Sequence, residues 1–171
     1  MASAKEIIVK PISSKAAIEV VKSVHYSGKV VMNSKLHFGV FLHGRLEGVM
    51  SFGSSMDKRK SMAFVEGTEW NGFLELNRMA FSEALPKNSE SRALGVALRL
   101  IRKHYPHIQW IVSYADGSQC GDGTIYRASG FVLTSIKKNT SMLRFPDGEV
   151  HATISITNGD SLVKRKLCEK W

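Results

Sequence analysis

The fold of this chain is decided by residues 74–106, which read LELNRMAFSEALPKNSESRALGVALRLIRKHYP. Residues 74–81 alternate apolar and polar side chains, as a half-buried strand does, and residues 88–104 carry an apolar stripe at helical spacing. Residues 108–114 follow as a near-continuous apolar run, which is typical of a central parallel strand. The sequence therefore predicts a strand, a long helix and a parallel strand, forming the β-α-β unit of an α/β domain.

The flanking segments supply the rest of a mixed sheet. In chain order they are an edge strand over residues 6–12 closed by Pro11, a helix capped by Ser13 or Ser14, a hairpin of residues 36–42 and 46–52, a basic loop over 53–72, a short helix over 123–129, and two or three strands after it. The order β, α, β, β, loop, β, α, β, α, β, β predicts an α/β (α+β) fold with a mixed central sheet and flanking helices.

The size of the chain suits one domain. With 171 residues and 43% hydrophobic composition, we expect a single core over residues 1–171. No apolar run reaches the length of about 18 residues that a membrane span needs, and the first residues lack a signal-peptide pattern, so a cytoplasmic protein is expected. Cys120 and Cys168 have neither metal nor redox spacing, so we expect no metal site.

The charge of the chain points to a polyanionic partner. The 24 Lys and Arg against 15 Asp and Glu give a net charge of +9, and no helix combines a basic face with an aromatic one as membrane-surface helices do. Nucleic acid is therefore favoured over a membrane. Lys58, Arg59, Lys60, Lys137 and Lys138 are candidates for contacts to DNA phosphates, and a solvated surface is the alternative for each.

Polar clusters fall where strands and helices end, which is where ligands collect in open α/β sheets. They are His25-Tyr26-Ser27, Asn77-Arg78, Asn88-Ser89-Glu90-Ser91, Ser113-Tyr114-Ala115-Asp116, and Gly123-Thr124 with Tyr126. Together these clusters supply an imidazole, a guanidinium, a carboxylate and several hydroxyls, a set sufficient for acyl or alkyl transfer.

Two charged residues of these clusters have alternative roles. Arg78 alternates with Leu76 and Ala80, so it should lie on an apolar face, where it either clamps an anion or forms a buried ion pair with Asp116 or Glu75. Asp116 follows the apolar run 108–114, so it should sit at a partly desolvated strand mouth and act as a proton acceptor. An Asx turn is its structural alternative.

The remaining candidates lie at helix ends. Asn88 should cap the long helix through its side chain, and Ser91 lies in its first turn, where free N–H groups can hold an anion. His25 and Tyr126 stand next to breaks in the chain and are either catalytic or structural. Gly123 and Thr124 let the backbone approach a ligand closely, although they match no phosphate-binding motif.

The order of elements resembles the Gcn5-related acyltransferase architecture, in which two parallel strands splay apart and the donor enters the gap. The motifs resemble those of the Mom family of phage DNA-modification proteins over about residues 20–133 of the chain. Those motifs are His25-Tyr26-Ser27, Phe38-Gly39-Val40, Leu46-Glu47-Gly48-Val49, Glu75-Leu76-Asn77-Arg78, Asn88-Ser89-Glu90-Ser91, Ser113-Tyr114-Ala115-Asp116 and Gly123-Thr124-Ile125-Tyr126-Arg127-Ala128.

This resemblance implies an enzyme that converts adenine in DNA to N6-carbamoylmethyladenine and so protects phage DNA from restriction. It places the catalytic positions at His25, Arg78, Ser91, Asp116 and Tyr126. Candidates for substrate and donor binding are their polar neighbours, namely Tyr26, Ser27, Asn77, Asn88, Ser113, Tyr114, Gly123 and Thr124.

The transferred group suggests a donor. A carbamoylmethyl group has the atoms of a glycyl group in another order, so we expect adenine N6 to attack glycyl-tRNA and the resulting glycyl amide to rearrange. Double-stranded DNA and an aminoacyl-tRNA would then be the partners, no tightly bound cofactor would be needed, and a homodimer is compatible with the sequence. The run 87–92 lacks the glycine-rich loop that holds the pyrophosphate of coenzyme A. An acetyl-coenzyme A N-acetyltransferase and a non-catalytic DNA-binding module are the alternatives.

Overall fold

The computed structural model describes residues 2–25, 31–116, 122–138, 140–157 and 169. The chain divides into two compact units, Met1–Val132 and Leu133–Trp171, and each is described by itself. The expectation of one domain over residues 1–171 stays a prediction.

The first unit carries a five-stranded sheet with helices on its faces. Its elements are β1 (Ile8–Pro11), α1 (Ser14–Val24), β2 (Ser34–Leu42), β3 (Arg45–Gly53), α2 (Lys58–Met62), β4 (Phe73–Phe81), α3 (Ser89–His104), β5 (Trp110–Val112) and α4 (Thr124–Ala128). The strand order is β1-β2-β3-β4-β5, antiparallel except for the parallel pair β4 and β5. The predicted mixed sheet is therefore confirmed.

The second unit contains a short hairpin. Strands β6 (Met142–Arg144) and β7 (Val150–Ala152) are antiparallel, and α5 (Thr153–Thr157) follows directly. The turn between the strands includes Gly148, whose φ of 88° is a left-handed value that favours glycine.

Local sequence signals explain the edges of the first sheet. Pro11 ends β1 at the outer edge, where its missing N–H costs no ladder hydrogen bond. Ser13 caps α1, because its Oγ accepts a hydrogen bond from the Ala16 N–H at 3.3 Å. His43 and Gly44 have φ values of 49° and 81° and form the tight turn between β2 and β3.

The two faces of the sheet pack against different helices. α1 covers one face in a cluster of buried residues, Ala17, Val20, Val21, Val49 and Ala80. The larger cluster includes buried residues of α3 and the opposite sheet face: Phe38, Val40, Leu42, Met50, Phe52, Leu76, Ala93, Leu94, Ala97 and Ile101. Burial of these apolar side chains stabilises the sandwich of helix, sheet and helix.

A β-bulge interrupts β4. Ser51 of β3 pairs with Arg78, whereas the next residue of β3 pairs with Leu76, so Asn77 is an extra residue on β4. The extra residue shifts the alternation, and Leu76 packs on the α3 side while Ala80 packs on the α1 side. The prediction that Arg78 shares one face with both Leu76 and Ala80 is wrong for Leu76, because simple alternation does not include a bulge.

The parallel pair splays apart just beyond its start. β4 and β5 pair only at Phe73 with Trp110, Leu74 with Ile111 and Glu75 with Val112. The prediction of a central strand over residues 108–114 is wrong, because β5 has three half-buried residues and ends the described sheet. The bulge bends β4 immediately after the last paired position, which opens a gap between the two strands.

Candidate active site

The gap between β4 and β5 is a cavity of about 340 Å³. Its walls are residues 76–79 of β4, residues 114–116 after β5, residues 122–126 at the start of α4, and His25 at the end of α1. Four of the five predicted catalytic residues line this cavity, namely His25, Arg78, Asp116 and Tyr126. Asn77, Tyr114, Gly123 and Thr124 line it too. The structure therefore brings together side chains that lie far apart in the sequence.

Arg78 lies on the β4 wall and is partly buried. Its Nη1 is 3.4 Å from His25 Nε2, and its buried Nε has no hydrogen-bond partner among the residues that the structure describes. Neither Asp116 nor Glu75 forms an ion pair with Arg78 in the described part of the chain. Since a guanidinium carries five N–H donors, Arg78 keeps donors for a ligand, and an anion clamp is its better-supported role.

His25 closes α1, and its backbone N–H donates to the Val21 carbonyl. Burial lowers the pKa of the His25 imidazole, and the neighbouring Arg78 guanidinium lowers it further. Because a guanidinium can only donate, the Arg78 contact requires Nε2 of a neutral imidazole as the acceptor. His25 therefore orients Arg78, and its Nε2 is already engaged as an acceptor.

The bulge residue Asn77 is held by polar contacts on both sides of its amide. Its Oδ1 accepts a hydrogen bond from Ser34 Oγ at 3.1 Å, and its Nδ2 donates to the Ser54 carbonyl at 3.4 Å. The Asn33 amide donates to the same carbonyl. Gly53 passes so close that a Cβ there would lie 2.6 Å from Asn77 Oδ1. This packing fixes the position of the bulge on the cavity wall.

A buried polar pair lies next to Arg78 in the sheet. His37 Nδ1 is 2.8 Å from Ser51 Oγ, both residues are buried, and Ser51 is the β3 partner of Arg78. Burial lowers the pKa of His37. The sequence analysis did not predict this pair. The available signal was the predicted hairpin, which places His37 opposite Ser51 on the side of the sheet that α1 covers.

Tyr114 and Asp116 form the rim of the cavity on the β5 side. The Tyr114 hydroxyl lies 3.2 Å from Ser61 Oγ of α2, and 57% of the residue is exposed. Asp116 is exposed, so the expected partly desolvated environment is wrong: β5 ends four residues earlier, and Asp116 stands outside the sheet. Ser113 is not among the cavity residues, and its Oγ is buried with no partner in the described part of the chain.

The cavity between β4 and β5 has another carboxylate besides Asp116, that of Asp122, and its role is structural. Its Oδ1 accepts from the Thr124 N–H at 2.8 Å and its Oδ2 accepts from Thr124 Oγ1 at 2.6 Å. The hydrogen bonds from the Thr124 hydroxyl and N–H lower the pKa of Asp122. Gly123 between them has a φ of 76°, which lets α4 start sharply. The Thr124 hydroxyl therefore serves the helix start.

Tyr126 is partly buried and lines the cavity from α4. Its ring centroid is 5.6 Å from that of Phe131, and both rings pack against the larger apolar cluster. This packing fixes the ring while the residue still lines the cavity.

Ser91 and Asn88 line a second cavity, of about 370 Å³, near the start of α3. Asn88 has a φ of 69° and makes no side-chain cap, so the predicted capping by its side chain is wrong: the left-handed backbone turns that side chain away. Ser91 Oγ instead donates to the Asn88 carbonyl at 3.3 Å. Thr124 and Ile125 line both cavities, so α4 stands between them.

The second cavity has a mixed charged lining. Glu83, Lys87 and Glu90 contribute two carboxylates and one ammonium group to its wall. Asn88 takes the left-handed conformation that a glycine would otherwise supply, and every residue from Lys87 to Ser91 carries a Cβ that limits close backbone approach.

The predicted DNA-contact residues fall in both units. In α2, Lys58 Nζ lies 4.4 Å from the Trp70 ring centroid, Lys60 pairs with Asp57 at 2.8 Å, and Arg59 is exposed. Lys137 and Lys138 are exposed residues of the second unit. Tyr26 and Ser27, predicted for donor binding, and both cysteines lie outside the described residues.

Within the described residues, no helix combines the length and apolar character needed to cross a membrane.

Comparisons with known proteins agree with this architecture. The model of the Mom protein family matches residues 6–169. A protein of Escherichia phage Mu named methylcarbamoylase mom is 41% identical over 137 residues, which cover 80% of this chain and 56% of that protein. The chain thus spans little more than half the length of this relative.

Two solved structures show the same fold. A possible acetyltransferase from Clostridium difficile 630 aligns with a TM-score of 0.53 at 8% identity, covering 77% of this chain and 94% of that one. An IAA acetyltransferase from Bacillus cereus ATCC 14579 aligns with a TM-score of 0.51 at 15% identity, covering 85% and 93%. The predicted Gcn5-related acyltransferase-like fold is confirmed.

Proposed function

This chain belongs to the Mom protein family, and from that premise we propose that it is a transferase that modifies adenine in DNA. The product is N6-carbamoylmethyladenine, and the modification protects phage DNA from restriction. One observation carries this proposal: the gap between β4 and β5 gathers a guanidinium, a carboxylate and a phenol around one cavity. Because adenine N6 is stacked and paired in duplex DNA, the base must leave the helix to reach them.

Asp116 acts as the proton acceptor for adenine N6. An exocyclic amine is a poor nucleophile and must lose a proton as it attacks. Asp116 is an exposed carboxylate at the cavity rim, where an extruded base can reach it. His25 acts by orienting Arg78, since its Nε2 accepts from the guanidinium.

Arg78 and Tyr126 act on the acyl donor. The Arg78 guanidinium keeps a buried Nε without a partner in the described residues, so it can donate to the oxyanion that forms as N6 attacks. The Tyr126 phenol is held by ring packing at the same cavity and donates a proton to the departing ribose oxygen, which leaves as the tRNA hydroxyl.

The donor we propose is the glycyl ester of tRNA. Attack by N6 forms a bond to the glycyl carbonyl carbon and releases the tRNA hydroxyl. The free glycyl amine then attacks C6 of the purine through a five-membered ring, and the bond between C6 and the original nitrogen breaks. That nitrogen leaves as the carboxamide, so the product contains every glycyl atom that was transferred.

The second cavity supports an aminoacyl donor over coenzyme A. Glu83 and Glu90 line it together with Ser91 and a single cation, Lys87, and this excess of carboxylates suits the ammonium group of a glycyl ester better than it suits a pyrophosphate. The net charge of +9 also suits a chain that binds two nucleic acids.

Glycine labelled in both carbons and in nitrogen tests this proposal in expressing cells. Mass spectrometry of nucleosides from plasmid DNA should show all three labels in the modified adenine. A modified base without the nitrogen label would rule out the rearrangement. If the adenine stays unmodified while the protein is folded, the enzyme proposal is rejected and a non-catalytic DNA-binding module is the remaining interpretation.

The fold favours one further candidate, an acetyl-coenzyme A-dependent N-acetyltransferase, because both aligned structures bear acetyltransferase names. Calorimetry with acetyl-coenzyme A separates the two proposals. Tight, saturable binding would favour the acetyltransferase, and the absence of binding heat is the result expected from the glutamates of the second cavity.

A further inference from the structure

A chain of hydroxyl groups joins Tyr114 to α2. The Tyr114 hydroxyl lies 3.2 Å from Ser61 Oγ, and Ser61 Oγ lies 2.8 Å from Ser55 Oγ. Ser55 and Ser61 are buried, whereas 57% of Tyr114 is exposed at the active-site cavity. The tyrosine is therefore held at its hydroxyl end while much of it remains accessible.

The segment that carries α2 has a second attachment to β5. Trp110 Nε1 donates to Thr68 Oγ1 at 2.9 Å, so residues 54–72 are hydrogen-bonded both to the start of β5 and to Tyr114 beyond its end. These bonds attach the segment that carries α2 to β5 and to the cavity residue Tyr114. Arg59 is the α2 cation most available to a ligand, because Lys58 lies over Trp70 and Lys60 pairs with Asp57.

Two tyrosines line the active-site cavity among the described residues, and they differ in their surroundings. Tyr126 packs against Phe131 and is partly buried, so its ring is engaged on the protein side. Tyr114 is mostly exposed, and its hydroxyl is already held by Ser61. An accessible aromatic ring held at its hydroxyl, with an exposed cation on the helix bonded to it, suits an unpaired nucleotide, because the base can stack and the backbone phosphate can meet the charge.

We propose that Tyr114 is the stacking residue for the extruded adenine and that Arg59 of α2 binds a phosphate of the same strand. This proposal rests on the proposed function and names the form of its DNA substrate. Arg59 precedes Ser61 by two residues in α2, so the helix that carries this cation is the helix bonded to Tyr114. Stacking on Tyr114 holds the base at the cavity beside Asp116, the proposed proton acceptor.

A binding experiment with two short DNA strands tests the proposal without any chemistry. One strand carries a single adenine flanked by abasic units, and the other is abasic throughout. The intact protein should bind the adenine strand about tenfold more tightly. Tyr114→Leu should remove this preference, Tyr114→Phe should keep it, and Arg59→Gln should weaken binding to both strands by the same factor.

Tyr105→Leu is the matched control, because Tyr105 is another exposed tyrosine, 41% accessible, and lines none of the described cavities. This variant should bind as the intact protein does. A Tyr114→Leu protein that keeps the adenine preference would overturn the inference, and so would an intact protein that shows no preference.

Nucleoside analysis of cellular DNA separates this inference from the proposed function. An adenine preference that depends on Tyr114, in a protein that leaves DNA unmodified, would retain the stacking role and remove the enzyme. Modified DNA, together with an unchanged adenine preference in Tyr114→Leu, would retain the proposed enzyme and reject the stacking role of Tyr114.

Discussion

Two carboxylates at the active-site cavity show how side chains of one type acquire different roles. Asp122 accepts two hydrogen bonds from Thr124 and starts α4, whereas Asp116 stands exposed at the rim beyond β5. The sequence drew attention to Asp116 because it follows an apolar run, and in the structure the residue lines the cavity. Its exposure was not predictable, since it depends on where β5 leaves the sheet.

Asp116→Asn should lower DNA modification by about 100-fold or more, because the amide cannot take the proton from N6. Its thermal unfolding should match that of the unmodified sequence, since Asp116 is exposed. Nucleoside mass spectrometry and circular dichroism measure the two effects. Glu66→Gln removes an exposed carboxylate elsewhere and should change neither; an Asp116→Asn protein that modifies DNA normally would refute the assignment.

The buried His37 should make the free energy of unfolding depend on pH. The pKa values of His37 and His25 are lowered in the folded chain, so the unfolded chain binds protons more readily. The difference in proton binding has no effect well above pH 6.5, the ordinary pKa of histidine. As the pH falls below that value, the unfolded chain takes up protons first and the fold is destabilised. In His37→Gln the loss of stability between pH 7.5 and 5.5 should be smaller.

Urea unfolding at several pH values checks this expectation. His104→Gln is the control, because His104 is exposed at the end of α3, and it should keep the full acid sensitivity of the parent protein. If the free energy of unfolding falls equally between pH 7.5 and 5.5 in His37→Gln and in the parent protein, burial of His37 has no such role.

At the scale of the elements, the periodicity of apolar residues predicted the regular helices and strands. α3 begins one residue after its predicted start, and the hairpin of β2 and β3 turns at His43 and Gly44 as expected. The bulge at Asn77 was not predictable, because one inserted residue leaves no compositional mark yet reverses which face each later side chain meets. The cavity depends on that bulge.

Gly53→Ala should disturb the bulge. An added Cβ would lie 2.1 Å from the Asn33 carbonyl oxygen and 2.7 Å from the Ser34 Cα, so the backbone must shift. We expect a loss of about 1–3 kcal/mol in the free energy of unfolding, together with lower activity. Denaturant unfolding and nucleoside analysis provide the measurements.

Gly95→Ala is the opposite case within α3. There an added Cβ meets only the end of the Arg99 side chain, at 3.7 Å. Alanine should therefore stabilise the chain by about 0.4–1 kcal/mol by restricting the unfolded state. Equal effects of the two substitutions would show that close packing at Gly53 is unimportant.

At the scale of the whole molecule, the net charge of +9 predicts a polyanionic partner but not where it binds. The structure places Lys58, Arg59 and Lys60 on α2, which Ser61 joins to the cavity rim. Replacing these three residues with glutamine should lower the slope of log binding constant against log salt by about 1–2, since Lys60 is partly neutralised by Asp57.

A second triple variant tests whether position or total charge matters. Replacing Lys5, Lys15 and Lys22 with glutamine removes the same charge from exposed sites in the N-terminal segment and α1. Fluorescence anisotropy with duplex DNA at several salt concentrations should show a smaller change for this variant. Equal changes would mean that the net charge acts as a whole.

The position of α4 between the two cavities has a kinetic consequence. Thr124 and Ile125 line both spaces, so under the proposed function the active-site cavity receives the adenine and the reacting ester while the second cavity leaves room for the rest of the donor. We therefore expect transfer within a ternary complex, without an acylated enzyme that outlives the departing donor. Initial-rate plots for the two substrates should therefore intersect, whereas parallel lines would indicate that α4 admits only one substrate at a time.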